Sequence, residues 1–183
     1  ILNRHKSKLD TFYDDNNGKD VWRFHTLTGA VDHFREYRNK LGLEYNAINP
    51  SNAFLKIYEI AARYKIYEEH SRGNKLKTFH NAEFPGSFIL GSAQYIGTMM
   101  PVDTKWTWYA SSYVEERSKD DDDFMGYLDD TYKLHENYPD RWLMNDEHNG
   151  DVTKTKFLRY MKNKIAEKKG VDVYTADLGL GVG

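Results

Sequence analysis

The chain has 183 residues, 39% apolar and 30% charged, enough for one soluble domain with a core of its own. Lysine and arginine total 26 against 28 aspartates and glutamates, a net charge of −2, which excludes a protein that grips long nucleic acid over its whole surface and leaves only local contact in a cleft. Cysteine is absent, which removes disulfides, thiolate zinc sites and cysteine nucleophiles and suits a reducing, intracellular compartment. No run approaches the roughly 18 apolar residues of a membrane helix.

Residues 1–20 are polar and irregular, with a turn cluster at Asp14-Asp15-Asn16-Asn17-Gly18. Helical spacing of Val31, Phe34, Tyr37 and Leu41 predicts a helix over 27–41. Asn49-Pro50-Ser51 is a turn and helix start, and Phe54, Ile57, Tyr58 and Ala61 share one face of a helix over 52–67. The period then changes. Residues 76–83 read as a strand, Phe84-Pro85-Gly86-Ser87 as a turn, and 88–96 as a helix; 106–110 alternate as a second strand. Residues 115–137 are mostly charged, 154–168 form an amphipathic helix with Gly170 as its C-cap, and 171–177 are a third strand running into glycines. Strands alternating with helices predict an α/β fold with a parallel sheet and its ligands at the carboxyl ends of the strands. Residues 1–49 read as a helical or irregular extension and 50–183 as the main domain, without internal repeats. The chain opens on Ile1 and stops at Gly183 just after an apolar strand, so both ends read as cuts.

The turn from Glu83 to Phe88 has a strand entering and a helix leaving, with small residues where backbone could approach a ligand and a helix N-terminus that supplies N–H groups. An ordinary strand–helix turn would look the same. Lys56 lies with Glu59 and Arg63 on a polar stripe, which by itself reads as a solvated face. Asp177 closes an apolar strand at the end where such sheets place their chemistry, though a loop-capping aspartate is a fair competitor. Gly179-Leu180-Gly181-Val182-Gly183 lacks the spacing of a dinucleotide fingerprint. The run Asp120–Asp123 lacks a calcium-loop pattern and the seven histidines include no His-x-x-x-His pair, so no metal site is expected.

Several of these pieces, in this order, resemble the FtsJ-type RNA ribose 2′-O-methyltransferases, most closely the mRNA cap branch as encoded by large DNA viruses. Asn81-Ala82-Glu83-Phe84-Pro85-Gly86-Ser87-Phe88-Ile89 resembles the family's cofactor turn, and Ser51-Asn52-Ala53-Phe54-Leu55-Lys56 the helix with the first catalytic lysine. Trp106-Thr107-Trp108-Tyr109-Ala110-Ser111-Ser112 resembles the second-strand Trp-x-Trp segment. Asn149-Gly150-Asp151-Val152-Thr153 resembles the Gly-Asp-Ile-Thr motif, and Asp172-Val173-Tyr174-Thr175-Ala176-Asp177 the strand ending in the catalytic aspartate. The resemblance covers residues 50–183. Departures are Ser87 in place of a second glycine, His80 where many relatives are acidic, and Ser111 and Ser112 where a carboxylate or amide often holds the ribose.

The resemblance implies a Rossmann-like fold that uses S-adenosyl-L-methionine, incomplete here at the C-terminus. It makes Lys56 and Asp177 the catalytic pair. Glu83, Pro85, Gly86, Ser87, Phe88, Ser111 and Asp151 become cofactor contacts, the last accepting from the adenine amino group. The substrate would be single-stranded or capped RNA, with capping-machinery or virion partners and a place in host cytoplasm or virion if the protein is viral. The family's second lysine and its glutamate lie downstream of the aspartate, and the chain ends six residues after Asp177, so this chain alone is expected to be catalytically incomplete. Rival readings are a noncatalytic relative kept as a binding or virion module, and a dinucleotide oxidoreductase using the terminal glycines.

Overall fold

The computed structural model describes residues 19–30, 32–114, 130–145 and 147–178. The run Asp120–Asp123, the turn cluster 14–18 and the glycines 179–183 lie outside the described residues. The first helical stretch is two helices, α1 (Lys19–Ala30) and α2 (Arg35–Tyr45), where periodicity predicted one. Asp32 causes the break: its carboxylate accepts from Phe34 N at 3.1 Å and pairs with Arg38, a side-chain turn that competes with continued helix.

Helix α3 (Asn52–Tyr64) begins where Ser51 Oγ accepts from Phe54 N at 3.1 Å. It stops three residues early because Lys65 adopts a left-handed conformation, φ 51°, before the single turn of α4 (Ile66–His70). Strand β1 (Lys75–Asn81) leads to α5 (Ser87–Met99), and β2 (Lys105–Ser111) follows. After two short turns, α6 (Leu134–Asn137) and a 3₁₀ turn at Pro139–Arg141, come α7 (Thr155–Glu167) and β3 (Val173–Ala176).

The three strands are parallel in the order β2-β1-β3, as the α/β expectation required. Trp142 adds a parallel bridge to Ala110, and Leu143 N donates to Ala110 O at 2.7 Å, so a fourth chain segment lies beside β2. Parallel sheets are buried on both faces. Leu76 and Val173 pack with Ala61, Tyr67, Tyr95 and Ile96 under α3–α5, while Ile89, Trp108, Ala110, Val114, Trp142 and Met144 form a second cluster nearer β2. On the opposite face Phe79 stacks on Tyr174 with ring centroids 5.5 Å apart, and α7 buries Phe157. Helices α3 and α5 meet closely: a Cβ at Gly91 would lie 2.7 Å from Phe54 O. No helix of the described residues is long and apolar enough to cross a membrane.

Candidate active site

The carboxyl ends of the three strands converge. Asn81 closes β1 as a hub: its Nδ2 donates to Tyr174 Oη at 3.0 Å on β3, and its Oδ1 accepts from Ser111 Oγ at 2.7 Å on β2 and from Ala82 N at 3.0 Å. One residue before it, on the face covered by α3–α5, His80 is completely buried between Thr78 Oγ1 (2.8 Å) and Thr175 Oγ1 (2.7 Å), and Trp106 Nε1 extends the chain to Thr78 at 3.0 Å. Burial pushes its imidazole down to about 3, so it stays neutral. A second polar row thus crosses all three strands directly beneath the site. Sequence reading treated His80 only as a departure from the expected acidic residue and missed Asn81 as the hub.

The chain leaves Asn81 through the turn 82–86. Glu83 N donates to Ser111 O at 3.1 Å and Phe84 N to Ser112 Oγ at 3.3 Å, which tie the turn to the end of β2. The Glu83 side chain is 5% exposed and folds back onto the start of α5, where Ile89 N donates to it at 2.9 Å. Burial drives its carboxyl up to about 8; the α5 amides pull it down and the Asp177 charge adds to the rise. Pro85 and Ser87 are part-buried, Phe88 is 5% exposed, and Gly86 caps α5 at φ 124°. Phe84 packs on Trp142 at 5.1 Å, and Leu134 lies against the turn close enough that a Cβ at Gly86 would meet its Cδ1.

Lys56 and Asp177 meet. Lys56 Nζ lies 2.6 Å from Asp177 Oδ2 across 121 residues of sequence, both side chains about half exposed. The polar stripe on α3 is therefore not simply solvated: its lysine is held at the carboxyl end of β3. Beside the pair, Ile57, Ile60, Ile66, Tyr174 and Ala176 line a groove along the outer edge of β3.

Asp151 sits past the end of β2, in the loop that Val114 N joins by donating to Asn149 O at 2.7 Å. Its Oδ1 accepts from Thr153 N at 2.9 Å and Thr153 Oγ1 at 2.6 Å, and Thr153 holds the carboxyl below the ordinary 3.8. Its Oδ2 has no hydrogen-bond partner among the described residues and can accept from a ligand amine. Ser111 does not offer the ribose contact expected of it: it is fully buried and its hydroxyl is spent on Asn81. Among the described residues no cluster of three or more His, Asp or Glu could hold a metal ion.

No known family profile matches the chain, and no solved structure matches it. Over its full length the chain is 31% identical to a protein of African swine fever virus, isolate Kenya 1950, named probable methyltransferase. It is 29% identical, over 84% of its length, to an uncharacterized protein of Acanthamoeba polyphaga mimivirus. It is 28% identical, over 86% of its length, to cap-specific mRNA (nucleoside-2′-O-)-methyltransferase 2 of Pongo abelii. The chain spans 42% of the length of the swine fever virus relative, 18% of the mimivirus protein and 20% of the Pongo enzyme. The parallel sheet and its flanking helices are compatible with a Rossmann-like methyltransferase, and the chain is related to a group of viral methyltransferase-like proteins that reaches to the cap-specific mRNA methyltransferases.

Proposed function

We propose that the protein carrying this chain methylates an RNA ribose 2′-hydroxyl, cap-proximal in mRNA, with S-adenosyl-L-methionine. The observation that carries the reading is the Lys56–Asp177 contact of 2.6 Å at the carboxyl end of a parallel sheet, next to the turn 83–88. The fit to the cofactor is chemical. A dinucleotide needs its pyrophosphate at a helix N-terminus, but here Glu83 occupies the start of α5. That leaves the turn suited to a nucleoside cofactor without phosphate, and it counts against the oxidoreductase alternative. Asp151 Oδ2 would hold the adenine amine, and Gly86, Pro85, Ser87 and Phe88 would shape the wall.

When bound, the cofactor supplies an electrophilic methyl on a sulfonium. The residues of this chain orient the acceptor. The Lys56 ammonium, fixed by Asp177, would donate to the 2′-hydroxyl oxygen and hold it in line. The half-exposed pair is open to an RNA strand. Lys56 and Asp177 would thus serve the acceptor, and the turn 83–88 and Asp151 the cofactor. Domain 50–183 would then be the N-terminal and central part of the methyltransferase domain, with 1–49 an added extension. The test uses the full-length protein and labelled-methyl transfer to capped RNA. Lys56→Ala and Asp177→Ala should each lower turnover by about 10²-fold or more, with cofactor affinity kept in the lysine variant. Near-normal turnover of Lys56→Ala would sink the assignment.

A further inference from the structure

Helix α7 carries a charge pattern that this function does not use. Residues 154–169 hold seven lysines and arginines against a single carboxylate, Glu167, in a chain whose net charge is −2. Helical geometry sorts them. Phe157 is buried toward the sheet, Lys164 is tied to Glu167 at 3.0 Å, and Lys168 sits over the Tyr109 ring at 5.4 Å. Lys156, Arg159 and Lys162 recur at three-residue spacing, are exposed, and have no ion-pair partner among the described residues. The rest of that face is Thr155, Asn163 and Ala166, and its one carboxylate, Glu167 at the C-terminal end, is taken by Lys164. A merely solvated helix face mixes the two signs; over residues 155–166 this one does not.

Placement gives the stripe a direction. The chain enters α7 from the loop after β2, beside Asp151, at the carboxyl edge of the sheet. It returns at the amino edge, where Lys77 N donates to Asp172 Oδ2 at 2.8 Å and Lys77 Nζ to Lys168 O at 2.6 Å. Thirteen residues of helix at about 1.5 Å each make a straight run of about 20 Å from the site's edge to the far side.

We propose that the outer face of α7, through Lys156, Arg159 and Lys162, is a phosphate track for the single-stranded body of the RNA beyond the methylated nucleotide. The choice of RNA as the polyanion rests on the methyltransferase reading; the surface itself rests on charge and placement. Such contacts bind backbone without reading bases, so the track is sequence-independent and sensitive to salt.

The test compares the full-length protein with the Lys156→Gln/Arg159→Gln/Lys162→Gln variant, and with Lys156→Arg/Lys162→Arg as rescue. Binding of an uncapped single-stranded RNA of about 20 nucleotides, followed by fluorescence anisotropy across salt, should weaken about tenfold in the glutamine variant. Its log–log salt slope should flatten by about two, from about 0.7 per lost phosphate contact. The arginine variant should bind as wild type. Methyl transfer to a capped RNA of about four nucleotides should be unchanged, while KM rises for the long RNA alone. Unchanged binding and slope would overturn the track. So would equal displacement of the RNA by polyglutamate of matching charge, which would assign the face to an acidic protein. If wild type methylates neither RNA, the methyltransferase reading falls while the binding comparison still decides the track.

Discussion

Two buried titratable residues set the pH response of this fold, and they work in opposite directions. Glu83, raised from its ordinary 4.5 to about 8, keeps its proton in the folded chain where the unfolded chain has lost it, so its contribution falls as pH rises from 4.5 to 8. His80, lowered from 6.5 to about 3, refuses a proton that the unfolded chain accepts, so stability is lost as pH falls from 6.5 to 3. Between 4.5 and 6.5 the two slopes oppose, which predicts a plateau there with losses on both sides. Glu83→Gln keeps an acceptor for Ile89 N and removes the alkaline loss, about 2 kcal/mol between pH 6.5 and 8. Urea midpoints of the full-length protein and the variant across that range check it; parallel curves would refute the assignment. Gly150 gives a second prediction at this scale. With φ 82° and a would-be Cβ 1.8 Å from Ser112 O, Gly150→Ala forces the Asp151 loop off the end of β2. It should cost roughly 1–3 kcal/mol and weaken cofactor binding, read by calorimetric titration.

The helix pair α3 and α5 is the element that puts Lys56 in place. Gly91→Ala would set a methyl 2.5 Å from Ile57 Cγ2 and 2.7 Å from Phe54 O, one turn and less from Lys56. Overpacking of this kind costs about 1–3 kcal/mol, and it should shift Lys56 from Asp177 as well. The expected signature is a fall in turnover larger than the fall in thermal midpoint explains, whereas Gly97→Ala on the same helix, where a Cβ meets nothing, should be silent. Elements of this size were legible in the sequence wherever periodicity was local. Strands β1, β2 and β3 and helices α3, α5 and α7 came out within about three residues of their predicted bounds. The breaks did not, because Asp32 and Lys65 end helices through a side-chain turn and a left-handed backbone that leave the apolar spacing intact. Ser111 was misread for a related reason: its neighbours in sequence say nothing of Asn81 on the adjacent strand. Lys56 looked like solvated surface because its partner is 121 positions away, and only the resemblance pointed to it.

At the scale of the molecule, the outer edge of β3 carries exposed Tyr174 and Ala176 with Leu178 beyond, and the groove beside it is lined by Ile57, Ile60 and Ile66. Among the described residues no strand pairs with this edge, and an open parallel edge with an apolar flank invites association. Residues 1–183 should therefore associate on sedimentation as concentration rises, and monomeric behaviour throughout would refute an exposed edge. The charge of −2 is likewise a sum over unlike regions. Bulk composition argued against an extended nucleic-acid surface, and the basic stripe on α7 is the kind of local feature that a total conceals.

The Lys56–Asp177 contact also has a consequence in time. A nascent chain grows at about 5–20 residues per second, so the aspartate follows the lysine by roughly 6–24 s, the time to add the 121 residues between them. In that interval α3, β1, α5 and β2 can pair and pack with one another, but the lysine has no counter-ion at the end of β3. A product released before β3 would leave the Lys56 ammonium unrestrained and Asn81 and His80 without Tyr174 and Thr175. The working geometry is thus finished only when the last strand of this stretch is laid against the first.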